Sequence, residues 1–82
     1  MSSIKEIPIL TEIEEKFVRL FCEEKTTEEI AELLDRSPRT IESIRLKVKE
    51  KFGAKEAAGV VLGAIKYGYV KVENKTKELV DI

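Results

Sequence analysis

The sequence predicts an all-α domain of four helices, and two observations support this fold class. Helix-start signals occur at Thr11, Thr26 and Ser37, where a hydroxyl side chain can accept a hydrogen bond from the first turn of a helix. After each signal, apolar residues recur every three or four positions, which is the spacing of one helix face. The chain has 82 residues, a length that fits one domain with one core.

The first predicted helix begins at a capping box. Thr11 is the N-cap, and the side chain of Glu14, three residues later, can reach back to the Thr11 amide. The apolar stripe of this helix consists of Ile13, Phe17, Leu20 and Phe21. The opposite face carries Glu and Lys, so we expect it to face solvent.

The second predicted helix is short. Thr26 and Glu29 form another capping box, and the residues after them supply apolar positions for only about two turns. Residues 35–37 then interrupt the pattern and separate this helix from the next one. The apolar positions are Ile30, Ala31, Leu33 and Leu34.

The third predicted helix runs from Pro38 to Phe52. Ser37 is its N-cap, Pro38 suits the first helical position, and Gly53 can end the helix in the left-handed conformation. The inner face is predicted to hold Ile41, Ile44, Val48 and Phe52. The outer face then carries Arg39, Glu42, Ser43, Leu46 and Glu50, with Lys47 at its margin.

The fourth predicted helix begins at Lys55 or Glu56 and ends at Tyr67, directly before a glycine. Within it, Gly59 and Gly63 lie four residues apart. In a short helix that does not span a membrane, this spacing indicates close packing against a neighbouring helix.

The four predicted helices divide the chain into three regions. Residues 10–70 form the helical domain, residues 1–9 form an N-terminal arm, and residues 71–82 form a charged C-terminal tail that we expect to fray. Two interpretations stay open here: the chain is a stand-alone protein, or it is a fragment of a longer one.

The composition excludes several classes of site. Histidine is absent, so the chain offers no imidazole for general-base catalysis or for a zinc site. Cys22 is the one cysteine, and a buried structural thiol is a better interpretation than a redox sensor. We therefore expect a protein that is not an enzyme and that has no catalytic residue, metal ligand, cofactor or small-molecule substrate.

The apolar segments are too short for a membrane protein. The longest uncharged apolar run extends from Ala57 to Ile65, far below the roughly 20 residues of a membrane span. The first residues of the chain also lack the apolar segment of a signal peptide. We expect a cytoplasmic protein without a membrane partner.

Charge is distributed unevenly along the chain. Up to Asp35 there are four basic and ten acidic residues, whereas the segment from Arg36 to Lys55 holds seven basic and two acidic ones. Such a basic segment suits a polyanion that one element of the protein contacts. A solvated helix face rich in lysine is the alternative interpretation of the charge alone.

Two helices joined by a tight turn, with the second helix basic, are typical of a helix-turn-helix unit. The second helix of such a unit lies in the major groove, so its outer face must offer side chains that reach base edges. The amides at the helix starts, near Thr26 and Ser37, suit contacts with phosphate oxygens. Duplex DNA is therefore the predicted partner. The alternative is a protein–protein interaction module with the same helical core and weak or lost DNA binding.

Several short motifs follow one another at characteristic spacing. They are Leu10-Thr11-Glu12, the segment Thr26 to Leu34, Ser37-Pro38-Arg39-Thr40-Ile41, Lys51-Phe52-Gly53-Ala54-Lys55 and the closing segment Val61 to Val70. Together they resemble the LuxR-type (GerE-like) DNA-binding domain of bacterial transcription regulators. The resemblance covers Leu10 to Val70, which is nearly the whole predicted domain.

This resemblance implies a four-helix regulator that places residues 38–52 in the major groove, forms a homodimer on DNA and works with RNA polymerase. The implied base contacts are Arg39, Glu42, Ser43 and Leu46. The implied contacts with the DNA backbone are Thr26, Thr27, Thr40, Arg45, Lys47 and Lys51. For the dimer interface on the last helix, we predict Val60, Ala64 and Tyr67.

The sequence also departs from the common pattern of the family. Glu24 lies near a position that is usually Gly, and Glu28 and Glu42 stand where the family usually has basic residues. A carboxylate close to phosphate groups weakens DNA binding. For this reason the interaction module stays open as an alternative.

Overall fold

A computed structural model describes residues 7–71, and these residues form four helices and no strand. The predicted all-α class is confirmed for this part of the chain. Residues 1–6 of the predicted arm and residues 72–82 of the predicted tail lie outside the described residues. Between residues 7 and 71, no helix is both long and apolar enough to cross a membrane.

The four helices lie close to their predicted positions. They are α1 (Glu12–Cys22), α2 (Thr27–Leu34), α3 (Pro38–Phe52) and α4 (Ala57–Lys66). α3 begins and ends at the predicted residues. α4 is one residue shorter at each end than the shortest predicted helix, and Glu56, its N-cap, makes no side-chain capping bond.

Side chains cap the amino ends of the first three helices, as predicted. The Thr11 hydroxyl accepts a hydrogen bond from the Glu14 amide at 3.3 Å, and the Glu14 carboxylate accepts one from the Thr11 amide at 2.9 Å. Thr26 and Glu29 repeat this capping box at the start of α2, with distances of 3.1 and 2.8 Å. Ser37 caps α3 by accepting from a first-turn amide at 3.1 Å. These bonds satisfy amides that have no partner within the helix, so local sequence sets each helix start.

One residue in the left-handed conformation follows each helix. The φ angle is 65° at Gly53 and 85° at Gly68, but also 68° at Glu24 and 59° at Asp35. The next residue in each case donates its amide to a carbonyl five residues earlier. A side chain with a Cβ atom is strained in this conformation, and Asp tolerates it better than Glu does.

The core lies between α1 and α3, each of which packs against all the other helices. Its largest fully buried side chains are Phe17, Val18, Ile30, Ile41, Val48 and Val60. Three of the four predicted inner positions of α3 are buried, and Phe52 is half-buried at the end of the helix. Because the inner face of α3 packs against the other helices, its outer face is directed towards solvent.

The structure corrects two helix faces. On α1, Val18 and Glu14 are buried although neither belongs to the predicted stripe, because the buried face passes through Glu14, Phe17 and Val18. On α2, Leu33 belongs to the predicted stripe but is 59% exposed. In this short helix Ile30 and Ala31 supply the fully buried face.

Gly63 allows α4 to approach the end of α3 closely. A Cβ atom at Gly63 would lie only 2.7 Å from Cδ2 and 3.3 Å from Cβ of Phe52. The predicted close packing on a neighbouring helix is therefore confirmed for Gly63. Gly59 instead approaches Ala54 in the loop before α4, where an added Cβ atom would lie 2.8 Å from the Ala54 Cβ.

Candidate nucleic-acid interface

α2 and α3 form a helix-turn-helix unit with a turn of three residues, 35–37. Asp35 takes the left-handed conformation, and the Arg36 amide donates to the Ala31 carbonyl at 2.9 Å, which ends α2. Ser37 then caps α3 at once. The short turn fixes the angle between the two helices and leaves the amino end of α3 at the surface.

The outer face of α3 exposes all four residues that were predicted to contact bases. Arg39, Glu42, Ser43 and Leu46 are each exposed to solvent, and Leu46 is 61% exposed. They project away from the buried face of the same helix. The face thus combines a cation, an anion, a hydroxyl and an apolar side chain, which are the groups that read base edges in a major groove.

The amino ends of α2 and α3 differ in charge. The first turn of α2 contains Glu28 and Glu29, and Glu29 already accepts the Thr26 amide. The first turn of α3 contains no acidic residue and carries Arg39. A helix amino end attracts anions through its unpaired amides and its dipole, and carboxylates in the first turn oppose this attraction. The start of α3 therefore suits an anion better than the start of α2 does, although the sequence predicted contacts near both.

The residues predicted to contact the DNA backbone lie at different depths. Thr26, Thr40 and Lys47 are exposed, whereas Thr27 and Arg45 are half-buried. The Nε atom of Arg45 is buried and has no hydrogen-bond partner among the described residues. The set therefore does not form one uniform surface.

Arg36 is a cation at this surface that the sequence interpretation did not assign to the site. It is exposed in the turn directly before Ser37, and its guanidinium group donates to the Asp35 carbonyl at 3.4 Å. Its position at the start of the basic segment was the signal that could have identified it.

The Lys51 ammonium group makes contacts within the protein that the sequence did not predict. Its Nζ lies 2.7 Å from Oε1 of Glu14 and donates to the Ile9 carbonyl at 3.1 Å. The Glu14 side chain is 6% exposed and the Lys51 side chain 35%. Two of the three ammonium N–H groups are used in these contacts, and the predicted contact of Lys51 with the DNA backbone stays a prediction.

Glu14 keeps its negative charge in this setting. Burial alone raises the pKa of the Glu14 carboxyl group, but hydrogen bonds from Lys51 and Thr11 and the charge of Lys51 outweigh that effect. The pKa of Glu14 is therefore lower than its ordinary value. The ion pair between α1 and α3 is intact at neutral pH.

The predicted dimer interface also requires a correction. Val60 and Ala64 are 0% exposed and belong to the core of their own chain, so they cannot contact a second copy. Tyr67 is half-buried, with its ring centroid 5.5 Å from that of Phe52. The apolar side chains that α4 exposes are Leu62, at 66%, and Ile65, at 38%.

This chain is similar to a part of two larger proteins whose structures have been solved. It superposes on phage VqmA, solved in complex with DPO, with a TM-score of 0.70 and 35% sequence identity over 84% of this chain. It superposes on Vibrio cholera VqmA, solved in complex with a ligand and DNA, with a TM-score of 0.73 and 28% identity over 93% of this chain. The matched part is 32% and 33% of those two chains, so this chain spans about a third of their length. No family model and no curated protein matches the sequence.

Cys22 and the acidic side chains are the remaining groups that could react or bind a metal ion. Burial raises the pKa of the half-buried Cys22 thiol, and the charge of Glu23 raises it further, which keeps the thiol protonated at neutral pH. In residues 7–71 no three His, Cys, Asp or Glu side chains lie close enough together to hold a metal ion.

Proposed function

We propose that the chain is a LuxR-type helix-turn-helix domain that binds duplex DNA sequence-specifically and regulates transcription. The observation that carries the proposal is the outer face of α3, which exposes four side chains suited to base edges at the end of a tight turn. The similarity in sequence and fold to Vibrio cholera VqmA, which was solved with DNA, supports the same class of partner. RNA polymerase is the further partner that such a regulator would require.

In this proposal each groove-facing side chain has a distinct partner. Arg39 donates to O6 and N7 of guanine, Glu42 accepts from N4 of cytosine, and Leu46 packs against a thymine methyl group. Ser43 can donate to or accept from any base edge within its short reach. Each well-made contact of this kind discriminates against a wrong base by about 1–3 kcal/mol.

The proposed contacts with phosphate groups surround this face. They come from Thr26, Thr27, Thr40, Arg45 and Lys47, and we add Arg36 because it is exposed beside the amino end of α3. Lys51 is omitted because Glu14 and Ile9 hold its ammonium group. These contacts set the register of the protein on the duplex without reading its sequence.

An NMR titration with a pool of randomised duplexes, at low and at moderate salt, tests the proposal. We expect salt-sensitive amide shifts in residues 36–47, because cations that neutralise phosphates release counterions. No shift at low salt would contradict DNA binding. It would instead favour the interaction module, for which the acidic first turn of α2 is the supporting observation.

Two substitutions separate phosphate contacts from base contacts. Lys47→Ala should weaken binding to all duplexes alike and reduce the slope of log affinity against log salt by about 1. Glu42→Ala should change which sequence is preferred. Lys16→Ala, on α1, is the matched control for the loss of one lysine. Equal effects of the Lys47 and Glu42 substitutions on specific and random duplexes would contradict the proposed base contact.

We also propose that the domain forms a homodimer on DNA through the exposed apolar side of α4. Leu62 and Ile65 take the place of Val60 and Ala64 in this proposal, because they are the large apolar side chains that α4 exposes. Sedimentation of the protein bound to a two-site duplex should show two copies for the natural sequence and one for Leu62→Lys. Leu33→Lys, an equally exposed leucine on α2, should leave the dimer intact. A single copy of the natural protein on such a duplex would contradict the dimer.

A further inference from the structure

The segment before α1 is held to the domain through its backbone. The Tyr69 hydroxyl donates to the Pro8 carbonyl and accepts a hydrogen bond from the Leu10 amide at 3.2 Å. The Lys51 ammonium group donates to the Ile9 carbonyl at 3.1 Å. Two side chains thus bind three consecutive residues, and we name residues 8–10 the arm segment.

Burial of side chains explains only part of this attachment. Ile9 is 82% exposed and Ile7, just before the arm segment, is 61% exposed. Leu10 is the one arm residue that belongs to the core. The hydrogen bond from Lys51 is therefore the main contact that holds Ile9, whereas Pro8 is held by its own partial burial and by the hydrogen bond from Tyr69.

Both side chains connect the arm segment to the last turn of α3. Lys51 belongs to that turn, and it also bonds to Glu14 at 2.7 Å. Tyr69 reaches the same turn through its ring, whose centroid lies 6.1 Å from that of Phe52. Phe52 follows Lys51 in sequence, so two adjacent residues of α3 carry both connections.

We infer that Lys51 and Tyr69 are positioning residues that clamp the arm segment and thereby couple it to the carboxyl end of α3. A displacement of the arm segment shifts the last turn of α3, and a bound arm segment keeps that turn in place. The effect of this clamp on DNA binding rests on the proposed function. The clamp itself, and its coupling to α3, do not depend on that function.

Amide hydrogen exchange of the whole chain without DNA tests the structural part. Tyr69→Phe removes both bonds of the hydroxyl and keeps the aromatic ring. We expect the Leu10 amide to exchange about five to ten times faster, as the loss of one hydrogen bond implies. We also expect faster exchange at the Gly53 and Ala54 amides, which close the end of α3.

Matched variants keep this test specific. Tyr67→Phe removes a hydroxyl from the other tyrosine beside Phe52 and should not change exchange at Leu10. Lys51→Met should accelerate exchange at Thr11, whose amide shares the Glu14 carboxylate with Lys51, and Lys51→Arg should restore slow exchange. Unchanged exchange at Leu10 in Tyr69→Phe would overturn the clamp. Fast exchange at Leu10 with unchanged exchange at Gly53 and Ala54 would overturn the coupling to α3.

Binding to the randomised duplex pool tests the functional part. Lys51→Met should lower the affinity several-fold and leave the dependence on salt unchanged, because a positioning residue that contacts Glu14 and Ile9 neutralises no phosphate. A salt slope reduced by about 1 would mean that Lys51 contacts a phosphate, and it would overturn the positioning role. If the natural protein bound no duplex, the proposed function would fail, and the exchange results would still decide the clamp.

Discussion

The outer face of α3 and the carboxyl end of the same helix have different tasks. The outer face exposes Arg39, Glu42, Ser43 and Leu46 to solvent. The carboxyl end contributes Lys51 and Phe52 to contacts with α1, α4 and the arm segment. The sign and number of the charges on a helix therefore do not define its interface. The direction of each charged side chain does, since one lysine of the basic segment forms an ion pair with the buried Glu14.

Substitution of two apolar residues of this helix should change the free energy of unfolding by very different amounts. Phe52→Ala should lower the free energy of unfolding by about 3 kcal/mol, because it removes the ring that Gly63, Tyr67 and Tyr69 surround. Leu46→Ala should change it by less than about 0.5 kcal/mol, since that side chain is exposed. Urea unfolding of both variants measures the difference. Similar losses would mean that the outer face and the carboxyl end of α3 do not differ as described.

The next effect concerns the ion pair of Glu14 and Lys51. The pKa of Glu14 is lowered in the folded chain, so its stabilising contribution is present above the ordinary value of 4.5 and is lost as the pH falls through the lowered pKa. Glu14→Gln should cost about 1–3 kcal/mol at pH 7, since it leaves the lysine without its charged partner. It should also make the free energy of unfolding decrease less as the pH falls.

Urea unfolding between pH 7 and pH 3 provides this measurement. Glu50→Gln is the matched control, because Glu50 is an exposed carboxylate on α3, directly before Lys51 in sequence. An acid-induced loss as steep in Glu14→Gln as in the natural protein would show that other carboxyl groups cause it.

The smallest effect compares the ends of α1 and α3. Both helices end at a left-handed residue, which is Glu24 after α1 and Gly53 after α3. Gly53→Ala should destabilise the chain by about 1 kcal/mol, whereas Glu24→Gly should stabilise it by about 0.5–1 kcal/mol. Glu23→Gly, at a residue with a φ angle of −86°, should not stabilise it. A loss of thermal stability in Glu24→Gly would contradict the assigned backbone conformation.

The helices could be predicted well from the sequence because their ends depend on local chemistry. Capping hydroxyl groups at Thr11, Thr26 and Ser37 mark the starts, and Gly53 marks the end of α3. The left-handed conformation at Glu24 was not visible in the same way, because the residue type gives no signal for it. The resemblance to a family with a nearby glycine was the available hint.

The candidate site could be predicted only in part. Helical spacing was sufficient to place the outer face of α3, since one period of 3.6 residues determines which side chains share a face. It was not sufficient for Lys51 or Val60, because their surroundings depend on which helices pack together. The bond from Lys51 to Glu14 joins residues 37 positions apart, and no local pattern encodes such a contact. Glu14 lies on the same helix face as Phe17 and Val18. This position was the signal that its carboxylate needs a charged partner.

The bond between Tyr69 and Pro8 has a consequence for the order of events in folding. It joins residues 61 positions apart, nearly the full length of the described chain, whereas the capping boxes join residues three apart. Closing so long a loop costs more conformational entropy than closing a helical turn, so we expect this contact to form late in folding. Tyr69→Phe should therefore accelerate unfolding and leave the refolding rate almost unchanged. We therefore expect residues 8 and 69, at the two ends of the domain, to join last and to separate first.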